Sequence, residues 1–286
     1  MKKLLYQFDT DTLPSVFDNV VGYDGGADHV CAYGGVNAAN VGGLVEGAIF
    51  TRGLRDKKNT AIFIGGGNMA GGEAVLGAVR GKFFANFRVS VMFDCNGSNT
   101  TASAAVAWLA HGRSLGGKRA VVLGGSGPVG QRAAVLLARE GAQVAITGRK
   151  RDVVQAACDS IQARFGVAVR AIEAPSNAER GAAIEGAQIV LATGAAGITL
   201  LEEKQWRDSA ALELLADANA SPPAGIEGVG QSDRGLVKHG KILFGSLGFG
   251  ALKLALHRAC VSRLFEQNDR VLDAEEIYAI AKSMVG

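Results

Sequence analysis

The chain has 286 residues, is 48% hydrophobic and carries a formal net charge of +3. That length holds two domains or one large one with a full core, and the charge is too small, and too little interleaved with aromatics, to argue for nucleic-acid binding. No apolar run approaches the roughly 20 residues of a membrane span, and the MKKLL start meets Asp9 and Asp11 before a signal segment can form, so a cytoplasmic protein with no membrane partner is expected.

Leu4–Phe8 reads as a strand and Pro14–Val20 as a short helix, with Pro14 near its first turn. Val21–His29 reads as a strand end opening into a polar loop, and Asn37–Ala48 as a helix led by Asn37. Thr60–Ile64 is a strand, Gly65–Asn68 a tight turn and Met69–Val79 a helix. Phe87–Phe93 is a strand that ends in Asp94–Asn99, with a helix from Thr100 to Leu109. Strands alternating with helices predict an α/β protein with a mostly parallel sheet.

From Lys118 the alternation continues. Strands are expected at Ala120–Leu123, Gln143–Thr147, Ala168–Glu173, Ile189–Ala192, Leu212–Ala216 and Lys241–Phe244. From Ser246 onward a long helix is expected, Leu252 to Glu266, and a last one begins at Asp273. The helices after Asn99 and Gly250 would pass between domains, returning the C-terminal helices to the first. The expected division is 1–100 with 256–286 against 101–255. The four cysteines form no C-x-x-C and the four histidines show no ligand spacing, so reduced thiols and no metal site are expected.

The stretch Gly125-Ser126-Gly127-Pro128-Val129-Gly130 follows a predicted strand and opens a predicted helix at Gln131. This is G-x-G-x-x-G in the setting that gives it meaning. The first glycine permits the tight turn, the second lets backbone approach a pyrophosphate, and the third brings helix and strand close. The helix N-terminus then favours the phosphate. At the end of the next strand, where an NAD-selective site places an acid, stand Arg149 and Lys150. Cations there suit a 2′-phosphate and favour NADP over NAD; the alternative is a solvated charge cluster at a helix start.

Ligands gather at the carboxyl ends of strands in an open α/β sheet. Thr193-Gly194-Ala195-Ala196 is small enough for backbone to touch the cofactor, and Asp217 and Asn219 offer polar groups near its nicotinamide end. In the N-terminal third, Tyr23, Asp24, Gly25, Gly26 and Asp28, and Asp94, Asn96, Ser98, Asn99 and Thr100, form polar clusters able to hydrogen-bond a heteroaromatic ligand. Asn96–Asn99 also reads as an ordinary helix cap.

Taken together, YQFDTDTLPSVFD, VGYDGGADH, FDCNGSNTT, VVLGGSGPVG, GRK, TGAAG, DANA and GALKLALHRAC resemble the bacterial methylene-tetrahydromethanopterin dehydrogenases, over nearly the whole chain. Related enzymes of that group also act on methylene-tetrahydrofolate. The resemblance implies a two-domain enzyme: an N-terminal α/β pterin-binding domain, a Rossmann-type NADP-binding domain, and a cleft between them. It would oxidise the methylene carbon to a methenyl cation and pass hydride to NADP, with NAD as an alternative acceptor. The loops at Tyr23–Asp28 and Asp94–Thr100 and Lys253 carry over to the pterin side; Gly125–Gly130, Arg149, Lys150, Thr193–Ala196 and Asp217–Asn219 carry over to the cofactor side. Family members are commonly homo-oligomers.

Hydride leaves a carbon flanked by two nitrogens whose lone pairs stabilise the cation, so no proton is abstracted in that step and no catalytic base is required. Lys253, a cation among apolar residues at a predicted helix start, is the candidate catalytic group; a snorkelling surface lysine is the alternative. An NADPH-binding sensor without pterin turnover is the competing function.

Overall fold

The computed structural model describes Met1 to Val285. The chain divides into two compact units, Met1–Thr100 with Leu254–Ile280, and Thr101–Lys253 with the residues from Ala281 on. The expected division returned all of 256–286 to the first unit. The residues from Ala281 instead group with the second, where Lys282 pairs with Glu140 at 2.8 Å.

The first unit holds β1 (Leu4–Asp9), α1 (Val16–Asp24), β2 (His29–Tyr33), α2 (Val41–Phe50), β3 (Thr60–Gly65), α3 (Met69–Gly81), β4 (Ser90–Phe93) and the start of α4 (Ser98–Ala110). A short strand near the C-terminus, Val271–Leu272, joins the same sheet beside β4. All strand pairs here are parallel, and β1 lies between β2 and β3. The central strand β3, TAIFIG, is buried at every position. It is a continuous apolar run because parallel strands are covered on both faces. Each fully buried Ile or Phe there contributes about 1.5–3 kcal/mol.

The second unit holds β5 (Arg119–Leu123), α5 (Pro128–Arg139), β6 (Gln143–Gly148), α6 (Arg151–Phe165), β7 (Arg170–Glu173), α7 (Asn177–Ala183), β8 (Ile189–Ala192), α8 (Glu203–Trp206), β9 (Leu214–Asp217), β10 (Arg234–Lys238), β11 (Lys241–Phe244) and the start of α9 (Ser246–Leu264). After α9 come β12 (Val271–Leu272, the strand noted above) and α10 (Ala274–Val285). The sheet order is β10-β11-β9-β8-β5-β6-β7, parallel except for the antiparallel edge strand β10. Strand order reverses between β5 and β8, which makes the crevice beyond their carboxyl ends the ligand position of a Rossmann-type sheet.

Several sequence expectations shift. Val21–His29 is the end of α1 and a turn, not a strand end; the strand follows it, at His29–Tyr33. α2 begins at Val41 because Asn37 folds into its own turn, accepting from the N–H groups of Ala39 and Asn40 at 3.0 and 3.2 Å. α5 starts at Pro128 rather than Gln131, with Pro128 in the position where a missing N–H costs nothing. α9 runs from Ser246, as expected, to Leu264, which puts Lys253 inside the helix and not at its start.

Candidate functional site

In the second unit the glycine turn is built by close approach. Gly124 has φ +66°, and a Cβ there would lie 2.7 Å from Gly194 Cα. A Cβ on Gly125 would lie 2.7 Å from Ile146 Cβ, and one on Gly130 would lie 2.5 Å from Gly125 Cα and 2.6 Å from Thr193 Oγ1. Gly127 differs: the nearest atom to its Cβ direction is Gly124 O at 3.9 Å, so this side of the loop is open. Gly127 is also the N-cap of α5, and no side chain bonds there. A loop closed on three sides and open at its second glycine, against an uncapped helix N-terminus, fits a pyrophosphate.

Thr147 at the end of β6 fastens the turn. Its Oγ1 accepts from Gly124 N at 3.2 Å and its carbonyl from Gly125 N at 2.9 Å. Sequence reasoning gave the tight-turn role to Gly125; the left-handed residue is Gly124, and the GG pair after the apolar run was the available signal. Ser126 lies against the chain leading to Arg149, since a Cβ on Gly148 would stand 3.4 Å from Ser126 Oγ. Arg149 and Lys150 are exposed, and no side chain caps α6. Arg151 points elsewhere, donating to Ala171 O at 3.0 Å. Pro128 and Val129 form the first turn of α5.

The loop after β8 touches the glycine turn directly. Thr193 N donates to Leu123 O at 2.9 Å and Thr193 Oγ1 to the same oxygen at 3.2 Å, so its hydroxyl is engaged in joining the two loops. Gly194 lies under Leu200, while Ala195 and Ala196 are exposed. After β9 the side chains turn inward. Asp217 accepts from Asn219 N and Ile226 N, both at 3.0 Å, and burial raises its carboxyl above the ordinary range while these N–H groups and that of Gly225 pull it back. Asn219 donates to Pro223 O and accepts from Ser221 N, both at 3.0 Å. The side chains of Asp217 and Asn219, the polar groups expected near the nicotinamide end, are engaged in holding this loop together.

In the first unit the two predicted clusters are not brought together. Tyr23 and Asp24 end α1, Gly25 packs under Val261, Gly26 is exposed, and Asp24 pairs with Arg258 at 2.6 Å. Asp28 accepts from Lys3 N at 2.7 Å. That turn therefore sits at the amino ends of β1 and β2, a strand length of about 20 Å from the carboxyl edge. Asp94 is at the carboxyl edge. It accepts from Asn99 N at 2.8 Å, Thr100 N at 3.0 Å and Thr100 Oγ1 at 2.6 Å, anchoring the start of α4. Asn99 donates to Phe93 O at 2.6 Å, and Ser98, Asn99 and Thr100 are all fully buried. Asn96 alone of this cluster is exposed, in the left-handed conformation at φ +57°.

Around Asn96 the carboxyl edge gathers residues that sequence reasoning did not choose. Asn96 N donates to Gly66 O at 2.8 Å, and Gly67 N to Asp11 Oδ2 at 2.9 Å. Gly35 N donates to Asp11 O at 2.7 Å, and Asp9 accepts from Asp11 N and Ser15 N, both at 2.9 Å. A Cβ on Gly66, φ +102°, would overlap Thr10 Oγ1. The loops after β1, β2, β3 and β4 are thus tied into one rim. The signal was the run Asp9-Thr10-Asp11-Thr12 directly after a strand. The rim is electronegative: the buried Cys95 thiol is pushed well up, first by burial and then by Asp94, Asp9, Asp18 and Asp11.

Residues 16–96 match the family model described as methylene-tetrahydromethanopterin dehydrogenase, N-terminal. A Methylorubrum extorquens protein named bifunctional protein MdtA is 56% identical over 285 residues, covering 99% of each chain. A second protein of that organism, named NAD(P)-dependent methylenetetrahydromethanopterin dehydrogenase, is 32% identical over 282 residues, covering 95% of each. Among solved structures, quinate dehydrogenase from Corynebacterium glutamicum in complex with NAD has a TM-score of 0.57 at 15% identity, covering 99% of each chain, a likeness of fold alone.

Proposed function

The chain belongs to the methylene-tetrahydromethanopterin dehydrogenase family, and on that premise we propose that it oxidises methylene-tetrahydromethanopterin to the methenyl form by hydride transfer to NAD(P) in one-carbon metabolism. The observation that carries the reading is the glycine cradle at the β5–β8 switch point, closed around Gly124, Gly125 and Gly130 and open at Gly127. When bound, the dinucleotide supplies the hydride acceptor. The chain's own work is to place it. The first turn of α5 faces the pyrophosphate, Ser126, Arg149 and Lys150 take the 2′-phosphate and prefer NADP over NAD, and the Thr193–Ala196 loop supports the ribose through its backbone. The loop held by Asp217 and Asn219 borders the nicotinamide end with its backbone.

The rim at the carboxyl edge of the first sheet takes the pterin, with Asn96 as its exposed polar member and Asp9, Asp11, Asp18 and Asp94 setting a negative field. Such a field favours the positive charge that develops on the substrate as hydride departs. Lys253 orients the substrate. The Tyr23–Asp28 turn, at the opposite strand ends, serves the pterin only if the ligand's long arm reaches it. A tetrahydrofolate derivative is a second carrier, since it shares the reacting nucleus. The protein works as a cytoplasmic homo-oligomer, and no helix among the described residues is long and apolar enough to cross a membrane.

The test is an absorbance assay of purified protein with NADP or NAD and each methylene-pterin in turn. Methenyl formation with methylene-tetrahydromethanopterin is expected, faster with NADP. Tight NADP binding without turnover on either pterin would defeat the reading in favour of an NADPH sensor.

A further inference from the structure

The sheet register of the second unit aligns five positions at the carboxyl ends of its strands. Val122 pairs with Ile146, Leu123 with Ala192, Ala192 with Asp217, and Ala216 with Phe244. Continuing that register by one residue from the second and third pairs and by two from the first and last gives a single row across the carboxyl edge: Gly148, Gly124, Thr193, Ala218 and Ser246. Adjacent strands are about 4.8 Å apart. The row therefore runs from the strand end beside Arg149, through the glycine turn, to the first residue of α9, about 14 Å beyond Gly124 by that spacing.

Ser246 is held there by unusually close packing. A Cβ on Gly245 would overlap the carbonyl oxygen of Gly230, and one on Gly248 that of Asp233. The N–H groups of Leu247 and Gly248 donate to Gln231 O at 2.8 and 3.0 Å, and Gln231 Nε2 donates to Ala220 O at 2.7 Å in the loop after β9. The start of α9 is thus tied to the loop that Asp217 and Asn219 hold. Within this frame the Ser246 hydroxyl has no hydrogen-bond partner, although the residue is only 8% exposed. A buried hydroxyl without a partner is unfavourable, because its desolvation is left uncompensated.

We infer that Ser246 is the residue that recognises the nicotinamide carboxamide. This rests on the dinucleotide reading above. Arg149 and Lys150 fix the adenosine end on the β6 side of the glycine turn, so the nicotinamide half runs toward β8, β9 and β11. A hydroxyl both donates and accepts, as a carboxamide does, and an uncharged group at this end leaves the developing charge undisturbed. Ser246 accordingly sets ring orientation, and with it the face from which hydride arrives.

The experiment measures binding of NADP and of 2′,5′-ADP, which lacks the nicotinamide, to wild type, Ser246→Ala and Ser246→Thr. The alanine variant should bind NADP about 5–20-fold more weakly, the loss of one or two hydrogen bonds, and 2′,5′-ADP within twofold of wild type. The threonine variant, which keeps the hydroxyl, should recover most of the NADP affinity. The acetylpyridine analogue of NADP, which lacks the amide N–H groups, should lose less on going to alanine than NADP does. Unchanged binding of both ligands to the alanine variant, or equal weakening of both, would overturn the inference while leaving the dinucleotide site in place. A wild-type protein that binds neither ligand would overturn the parent reading as well.

Discussion

Gly127 and Gly130 stand in one motif but face different neighbours. Gly130 presses on the backbone of Gly125 and on Thr193 Oγ1, so Gly130→Ala should distort the loop and lower both stability and NADP affinity. Gly127 faces open space, so Gly127→Ala should leave the melting temperature of the free protein within a degree or two while weakening NADP binding at least tenfold. Thermal melts beside a binding titration separate the two; equal loss of stability would remove Gly127 from the ligand's path. Arg149→Ser with Lys150→Ala should raise KM for NADP far more than KM for NAD, and equal increases would exclude 2′-phosphate recognition. Lys253→Met should lower turnover at least tenfold with NADP binding nearly unchanged. At this scale the residue types were legible in the sequence, because glycine and paired cations answer local demands. Their engagement was not: Asp217, Asn219 and Thr193 look available in a sequence and are already bonded in the fold.

Helix α4 shows how an element can absorb residues that read as a ligand site. Its N-terminus leaves backbone donors without helical partners, and Asp94, from the end of β4, accepts two of them and the Thr100 hydroxyl. The buried carboxylate also benefits from the positive end of the helix dipole. Asp94→Ala should destabilise the protein by about 2–3 kcal/mol, since charged hydrogen bonds are each worth about 1.5–3 kcal/mol and buried donors are left open. Denaturant unfolding checks this, and a change below about 0.5 kcal/mol, the scale of an ordinary surface substitution, would assign the residue to ligand binding alone. Strands with continuous apolar runs were read correctly, as at Thr60–Ile64, because burial on both faces writes itself into composition. The edge strands β2 and β10 were missed: they are largely exposed, and an exposed strand carries no such run.

Across the whole molecule, each sheet gathers its loops at the carboxyl ends of its strands, one glycine-lined and flanked by cations, the other rimmed by carboxylates. Binding to the folded state alone stabilises it by mass action. NADP at a hundred times its Kd should therefore add about 2.7 kcal/mol to the unfolding free energy. Wild type should show this as a rise in melting temperature, and Gly127→Ala, with a tenfold loss of affinity, should show a smaller one at the same concentration, about 1.4 kcal/mol; an equal rise in both would mean that the ligand stabilises from another place.

The sequence by itself determined the alternation of strands and helices, the glycine turn with its cations, and the family. These are written in short-range spacing and residue type, which survive without knowledge of the fold. Only the tertiary structure decided which polar residues remain presented. Parallel strands put loops from distant parts of the chain at the same edge, so Asp11, Gly66 and Asn96 meet there, while Tyr23–Asp28, similar in composition, falls at the other end. The register across β6, β5, β8, β9 and β11 likewise put Ser246 in line with Gly124, though 121 intervening positions separate them in the chain.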